Sequence, residues 1–162
     1  MPKPPPPKPL DTKALAPLIR QAKKLARAYY AKTGRPLGIT GEIAEYEACR
    51  LLKLCPAPVR TSGYDATRTV GGRTKRVQVK GRVRLPGSNR SQRVGSIGLA
   101  HKWDSAVLVM FDDRFEPTEI LEATRARITK ALSKPGSRAR NERGQLNVSQ
   151  FRAIARPVWK AS

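Results

Sequence analysis

Gly63-Tyr64-Asp65-Ala66-Thr67-Arg68-Thr69-Val70-Gly71-Gly72-Arg73-Thr74-Lys75-Arg76-Val77-Gln78-Val79-Lys80-Gly81-Arg82 is the stretch that decides the fold. Two alternating segments flank a Gly-Gly pair, the pattern of an antiparallel hairpin with strands over 65–70 and 73–84. Alternate side chains of a strand share a face and stand about 7 Å apart. Val77 and Val79 therefore point one way, and Gln78 and Lys80 the other. Asp65 precedes Gln78 by 13 residues across the turn, so its carboxylate can reach the Gln78–Lys80 face.

Upstream, Leu15, Leu18, Ala22, Leu25 and Tyr29 recur at helical spacing and predict an amphipathic helix over 16–32. Pro17 suits its first turn, Gly34 its end, and Lys23, Lys24, Arg27 and Lys32 its wet side. A second helix runs from a Thr40 cap to about residue 54, with Glu42 in its first turn and Ala44, Ala48, Leu51 and Leu52 inward. Pro58-Val59-Arg60 reads as a short strand.

Downstream, residues 85–99 read as a mobile basic loop. Residues 106–111 are continuously apolar, as in a strand buried on both faces. Asp112-Asp113 turns the chain into a last strand over 118–122. A helix over 125–132, a second basic loop over 133–146 and an Asn147-capped helix over 148–155 follow, with Trp159 docking near the C-terminus. The expected architecture is α/β, in layers. Residues 1–12 are a disordered, proline-rich basic tail, and 13–162 form a single domain.

The chain has 162 residues, 33 Lys and Arg against 12 Asp and Glu, and a formal charge of +21. That surplus favours a polyanionic partner. Five of the acids fall between Asp112 and Glu122, and three more are Glu42, Glu45 and Glu47, which leaves the remaining surface almost purely cationic. Cys49 and Cys55 are too few for a disulfide framework, and no Cys/His spacing fits zinc. No signal-peptide run or membrane span is visible, which points to a cytoplasmic protein. Gly71-Gly72 opens no helix, so it is not a phosphate loop. His101 is the only histidine. It lacks the partners of a nucleophilic triad; it reads either as a phosphate contact or as a residue that simply flanks Trp103, and the second is favoured.

Phosphodiester hydrolysis needs a metal, a group that orients the nucleophile and a cation against developing charge. Asp65 offers an anionic oxygen, Gln78 an amide oxygen and Val79 a carbonyl, all acceptable to Mg²⁺, with Mn²⁺ as a substitute. Lys80 supplies the cation. Glu45, at the border of its helix's buried stripe, can lean into the same site, although Glu42 or Glu47 would serve equally on sequence alone.

The segments GEIAEYEACRLL, GYDATRT and RVQVKGR resemble the signature of the PD-(D/E)XK nuclease superfamily. They are most similar to small endonuclease-like domains whose third strand reads Gln-Val-Lys. AVLVMFDD and FEPTEILEATRARI are similar to the closing strands and helix of the same bacterial group, so the resemblance spans about 38–157. It implies a restriction-endonuclease-like three-layer domain with a mixed central sheet of about five strands flanked by helices. It also implies catalytic roles for Glu45, Asp65, Gln78 and Lys80. Two positions depart from the pattern: Tyr64 replaces a proline before Asp65, and Gln78 replaces an acid, which removes one negative charge from the metal site.

Arg82, Arg84, Arg90, Arg93 and Lys102 surround the first basic loop, and Arg138, Arg140 and Arg143 populate the second. They are the candidate nucleic-acid contacts. Aromatics are 6% of the chain, which favours duplex backbone contact over base stacking. The expectation is a Mg²⁺-dependent DNA endonuclease with weak sequence preference. RNA is an alternative substrate, and a homodimer would suit double-strand cleavage. The rival readings are a non-catalytic nucleic-acid-binding protein on a degraded nuclease fold and a basic packaging or ribosome-associated protein. If the cations grip a phosphate backbone, affinity measured by fluorescence anisotropy falls by roughly a thousandfold or more between about 50 and about 200 mM salt; a flat response contradicts the assignment.

Overall fold

The computed structural model describes residues 8–87 and 92–162, and most of the proline-rich tail lies outside them. Asp11 accepts a hydrogen bond from the Ala14 N–H (2.9 Å) and starts α1, Thr12–Thr33, which Gly34 ends in the left-handed conformation. Helix α2 is Thr40–Leu52. Strands β1 (Cys55–Pro56), β2 (Ala66–Val70), β3 (Arg73–Val83), β4 (Arg93–Ser96), β5 (Ser105–Phe111) and β6 (Pro117–Thr124) follow. Then come α3 (Arg125–Leu132), α4 (Arg138–Asn141), β7 (Gln145–Asn147), α5 (Val148–Ile154) and β8 (Arg156–Lys160).

Six strands form one mixed sheet in the order β1-β2-β3-β5-β6-β8, with β3 and β5 parallel and the other neighbours antiparallel. Strands β4 and β7 make a separate antiparallel pair. The described residues thus form a mixed α/β fold with five helices. Positive φ at both Gly71 and Gly72 gives the turn of the β2–β3 hairpin its twist-compatible form.

The sheet separates two cores. On one face Val77, Val79, Val83, Val107, Val109 and Phe111 pack with Ala26 of α1 and with Ile43, Ala44 and Ala48 of α2. On the other, Ala106, Leu108, Met110, Leu121 and Ala123 pack with Ile128 and Leu132 of α3, Phe151 of α5, and Val94, Ile97 and Trp103. Strand β5, expected to be covered on both sides, is buried along its whole length.

Several expectations are corrected. The first helix begins a turn early, and its inward face carries Lys23 and Ala26, while Leu18, Leu25 and Tyr29 are exposed. Lys23 is drawn in by charge: its ammonium pairs with Glu47 (2.8 Å) and Glu116 (2.9 Å), and Arg50 closes the network on Glu47. Glu47 is therefore a structural acid. Thr40 is the first residue of α2, and Ile39 precedes it without a side-chain cap.

Residues 58–60 form a turn with Val59 exposed, and the short strand lies at Cys55–Pro56 instead. The first basic loop contains β4, and the second contains α4 and the start of β7. Strand β6 is not the last, because Trp159 lies in β8, paired with Ile120. These short strands were missed because each is completed by a distant partner.

Gly81 sits on the α2 side of β3. A Cβ there would lie 2.6 Å from the Ala44 Cβ and 3.1 Å from the Thr40 carbonyl oxygen. An isolated glycine in a strand commonly marks such an approach. Gly81→Ala should push α2 off the sheet and cost about 1–3 kcal/mol, read from the denaturant midpoint; an unchanged midpoint would show that the contact is not tight.

Candidate functional site

The hairpin strands differ in length, and this builds the site. Strand β2 pairs with β3 from Val70↔Arg73 to Ala66↔Val77. The Asp65 N–H donates to the Val77 carbonyl (3.0 Å), and β2 then leaves the edge. Among the described residues no strand covers that edge of β3 beyond Val77. The Val79 N–H is met by a side chain instead, donating to Asp65 Oδ2 at 2.7 Å. Backbone alternation turns the Val79 carbonyl toward the same bare edge.

Val77 and Val79 lie in the α2-side core, so Gln78 and Lys80 occupy the opposite face, beside Ala106 and Leu108 of β5. Asp65, one step past the last β2–β3 pair, has that same facing. This face is not open to solvent, because the second core and β4 lie over it. Gln78 is buried, and Lys80 is half-buried. Gly95 of β4 comes close: a Cβ on it would lie 3.1 Å from an Arg82 guanidinium nitrogen and 4.0 Å from Lys80 Cδ.

Gln78 is held at one end only. Its Nε2 donates to the Gly63 carbonyl (2.8 Å), while its buried Oε1 has no hydrogen-bond partner among the described residues. A buried acceptor left open is costly. The Gln78 side chain lies on the same face of β3 as Lys80.

Glu45 comes from α2, next to the Ala44 that packs on Gly81. The residue is exposed, but its carboxyl group is crowded by protein. That desolvation, followed by the charges of Asp65 and Glu42, pushes its pKa up to about 6, against the pull of Lys80. Burial lowers the pKa of Lys80; Asp65 and Glu45 oppose the fall and Arg82 adds to it. The two carboxylates and the ammonium therefore sense one another across the bare edge of β3. Nearby, burial pushes the Cys49 thiol up to about 12, so it is an inert packing group.

Among the described residues no three His, Cys, Asp or Glu side chains form a ready-made metal cluster. The oxygens on hand are of a different kind: the Asp65 and Glu45 carboxylates, the open Gln78 amide oxygen and the Val79 carbonyl. Such a set suits a hard divalent cation that keeps much of its water.

The candidate nucleic-acid contacts are dispersed. Arg82 is turned onto protein, donating to the Arg93 and Gly81 carbonyls. Arg84 is at the far end of β3, in a groove of about 680 Å³ where Arg152 and Lys160 are offset by Asp112, Asp113 and Glu119. Arg138 pairs with Glu142 (3.2 Å), and Arg140 holds the Lys134 and Pro135 carbonyls. Arg93, Lys102 and Arg143 are exposed. Arg90 lies outside the described residues. Sequence reasoning missed Gly63, which orients Gln78, and Gly81, which admits α2. An isolated glycine within the β3 pattern was the available signal for Gly81.

No protein-family model matches the chain, and no curated protein is significantly similar to it. Among the described residues no helix is long and apolar enough to cross a membrane.

The crowded Glu45 gives a pH signature. Its folded pKa of about 6 exceeds the ordinary 4.5, so the folded state binds the proton more tightly and metal-free stability falls as pH rises through that window. In EDTA, Glu45→Gln should melt above wild type near about pH 7 and together with it near about pH 4. An offset that is equal at both pH values would show that neither desolvation nor the charges of Asp65 and Glu42 raise the Glu45 pKa.

Proposed function

We propose that this protein is a divalent-metal-dependent endonuclease that cleaves the DNA backbone with weak sequence preference, on a restriction-endonuclease-like fold of the PD-(D/E)XK type. The observation that carries the reading is the bare stretch of β3, where Asp65 caps the Val79 N–H beside an open Gln78 oxygen and a half-buried Lys80. The parallel β3–β5 pair with an antiparallel hairpin on its flank is compatible with that fold.

Asp65, Glu45, Gln78 and the Val79 carbonyl would hold Mg²⁺ or Mn²⁺. When bound, the metal supplies Lewis-acid polarisation of the phosphate and a more acidic water. The chain's own residues do the rest. Asp65 is fixed by a backbone N–H, so its free oxygen keeps a constant direction. Gly63 fixes the Gln78 amide in the same way. Lys80, pressed between the carboxylates and Arg82, sets a cation against the charge that develops on the phosphate, in surroundings where burial strengthens the attraction. Gln78 contributes no charge, so the ionised form of Glu45 must supply the second anion. Its raised pKa makes activity rise with pH through about 6.

The same neutral Gln78 favours the rival reading, a nucleic-acid-binding protein that has lost catalysis. Nicking of supercoiled plasmid separates the two. The wild type should nick with Mg²⁺ or Mn²⁺ and stop in EDTA. Lys80→Ala and Asp65→Ala should each lower the rate by about a hundredfold or more, with Lys80→Ala still binding DNA. Activity that persists in both variants refutes the site, and a wild type inert with either metal leaves the binding protein.

A further inference from the structure

The loop that follows β4 is built with more care than a connection needs. Arg125 donates to the Leu99, His101 (2.7 Å) and Trp103 (3.3 Å) carbonyls. Its guanidinium lies 4.6 Å from the centre of the Trp103 ring, a cation–π contact. The buried Trp103 donates its indole N–H to the Gly98 carbonyl (2.8 Å). All of these bonds use backbone carbonyls of the loop, and none uses the His101 ring.

That ring is seated between two glycines. A Cβ on Gly63 would lie 2.6 Å from His101 Cβ, and one on Gly98 would lie 2.7 Å from His101 Cδ2. Gly63 also has φ +93, a conformation that side chains rarely adopt. Gly63 is the residue whose carbonyl holds Gln78, so the imidazole stands one residue from a candidate metal ligand. Its hydrogen bond among the described residues is to exposed Ser62, Oγ to Nδ1 at 3.2 Å. In the tautomer that accepts the Ser62 hydroxyl proton at Nδ1, the ring carries its own proton on Nε2. Nε2–H is then a donor held at a set angle on an exposed residue, with exposed Lys102 next in the chain.

The geometry points to His101 as a contact for a substrate phosphate that flanks the scissile one, with Ser62 fixing the ring and Lys102 adding charge. This rests on the proposed action at a DNA backbone and extends it: the duplex enters along the Ser62–His101–Lys102 loop before it reaches Lys80. His101 is an exposed residue, as a buried packing role would not leave it, and bracing of Gly63 needs only Cβ, which alanine keeps.

The test is anisotropy of a labelled DNA duplex in EDTA, beside thermal melting. His101→Ala should weaken binding about tenfold, as loss of a hydrogen bond to a charged group does, with the melting midpoint held by Arg125 and Trp103. His101→Gln, which keeps a donor near the Nε2 position, should recover most of the affinity. Lys102→Ala should reduce the salt slope by about one, and His101→Ala should leave it unchanged. Unchanged affinity in His101→Ala overturns the proposal. So does a loss that tracks a lower melting midpoint and is not recovered by His101→Gln. If wild type fails to cleave with either metal while His101→Ala still weakens binding, the catalytic reading falls and the phosphate contact stands.

Discussion

A β-strand longer than its neighbour must do something with the backbone groups left over. Strand β3 runs to Val83, while β2 accompanies it only to Val77. The Val79 N–H beyond that point would be an unsatisfied donor. Asp65 takes it, and this single bond fixes both the end of β2 and the direction of a carboxylate, on an edge that no strand covers among the described residues. Gln78 and Lys80 stand beside that unpaired edge, and Glu45 is brought near Asp65 and Lys80 because Gly81 lets α2 come close.

Charge is distributed with the same economy. Acids are scarce, and most of those present are tied to structure. Glu47 and Glu116 neutralise buried Lys23, and Glu122 accepts from Ser105 and Arg68 in the sheet. Glu45 is in no ion pair among the described residues, and desolvation, followed by the charges of Asp65 and Glu42, raises its pKa. The desolvation and like charge around Glu45 cost the folded state stability once its carboxyl group ionises, above about pH 6.

Much of the hairpin was legible because its signals are local. The Gly71-Gly72 turn, the period-two alternation and the apolar run of β5 each specify their own segment, and the helix over 125–132 emerged with the expected bounds. The candidate residues Asp65, Gln78 and Lys80 followed from alternation and register alone. The inward face of α1 did not, because Lys23 looks solvent-directed until Glu47 and Glu116 arrive from elsewhere in the chain. Strands β4, β7 and β8 were invisible for a related reason: short, basic or proline-bearing segments become strands only when a remote partner supplies the other half of the ladder.

The sequence by itself determined a cationic α/β chain, a hairpin with Gln78 and Lys80 on one side, and an acid able to reach them. Tertiary structure decided which acid is crowded and which is structural, that no strand among the described residues pairs with β3 beyond Val77 on that edge, and that His101 packs against Gly63 and Gly98. The physical reason is range. Periodicity and turn preference act over a few residues, whereas desolvation, charge pairing and close backbone approach depend on groups that only the folded chain brings together.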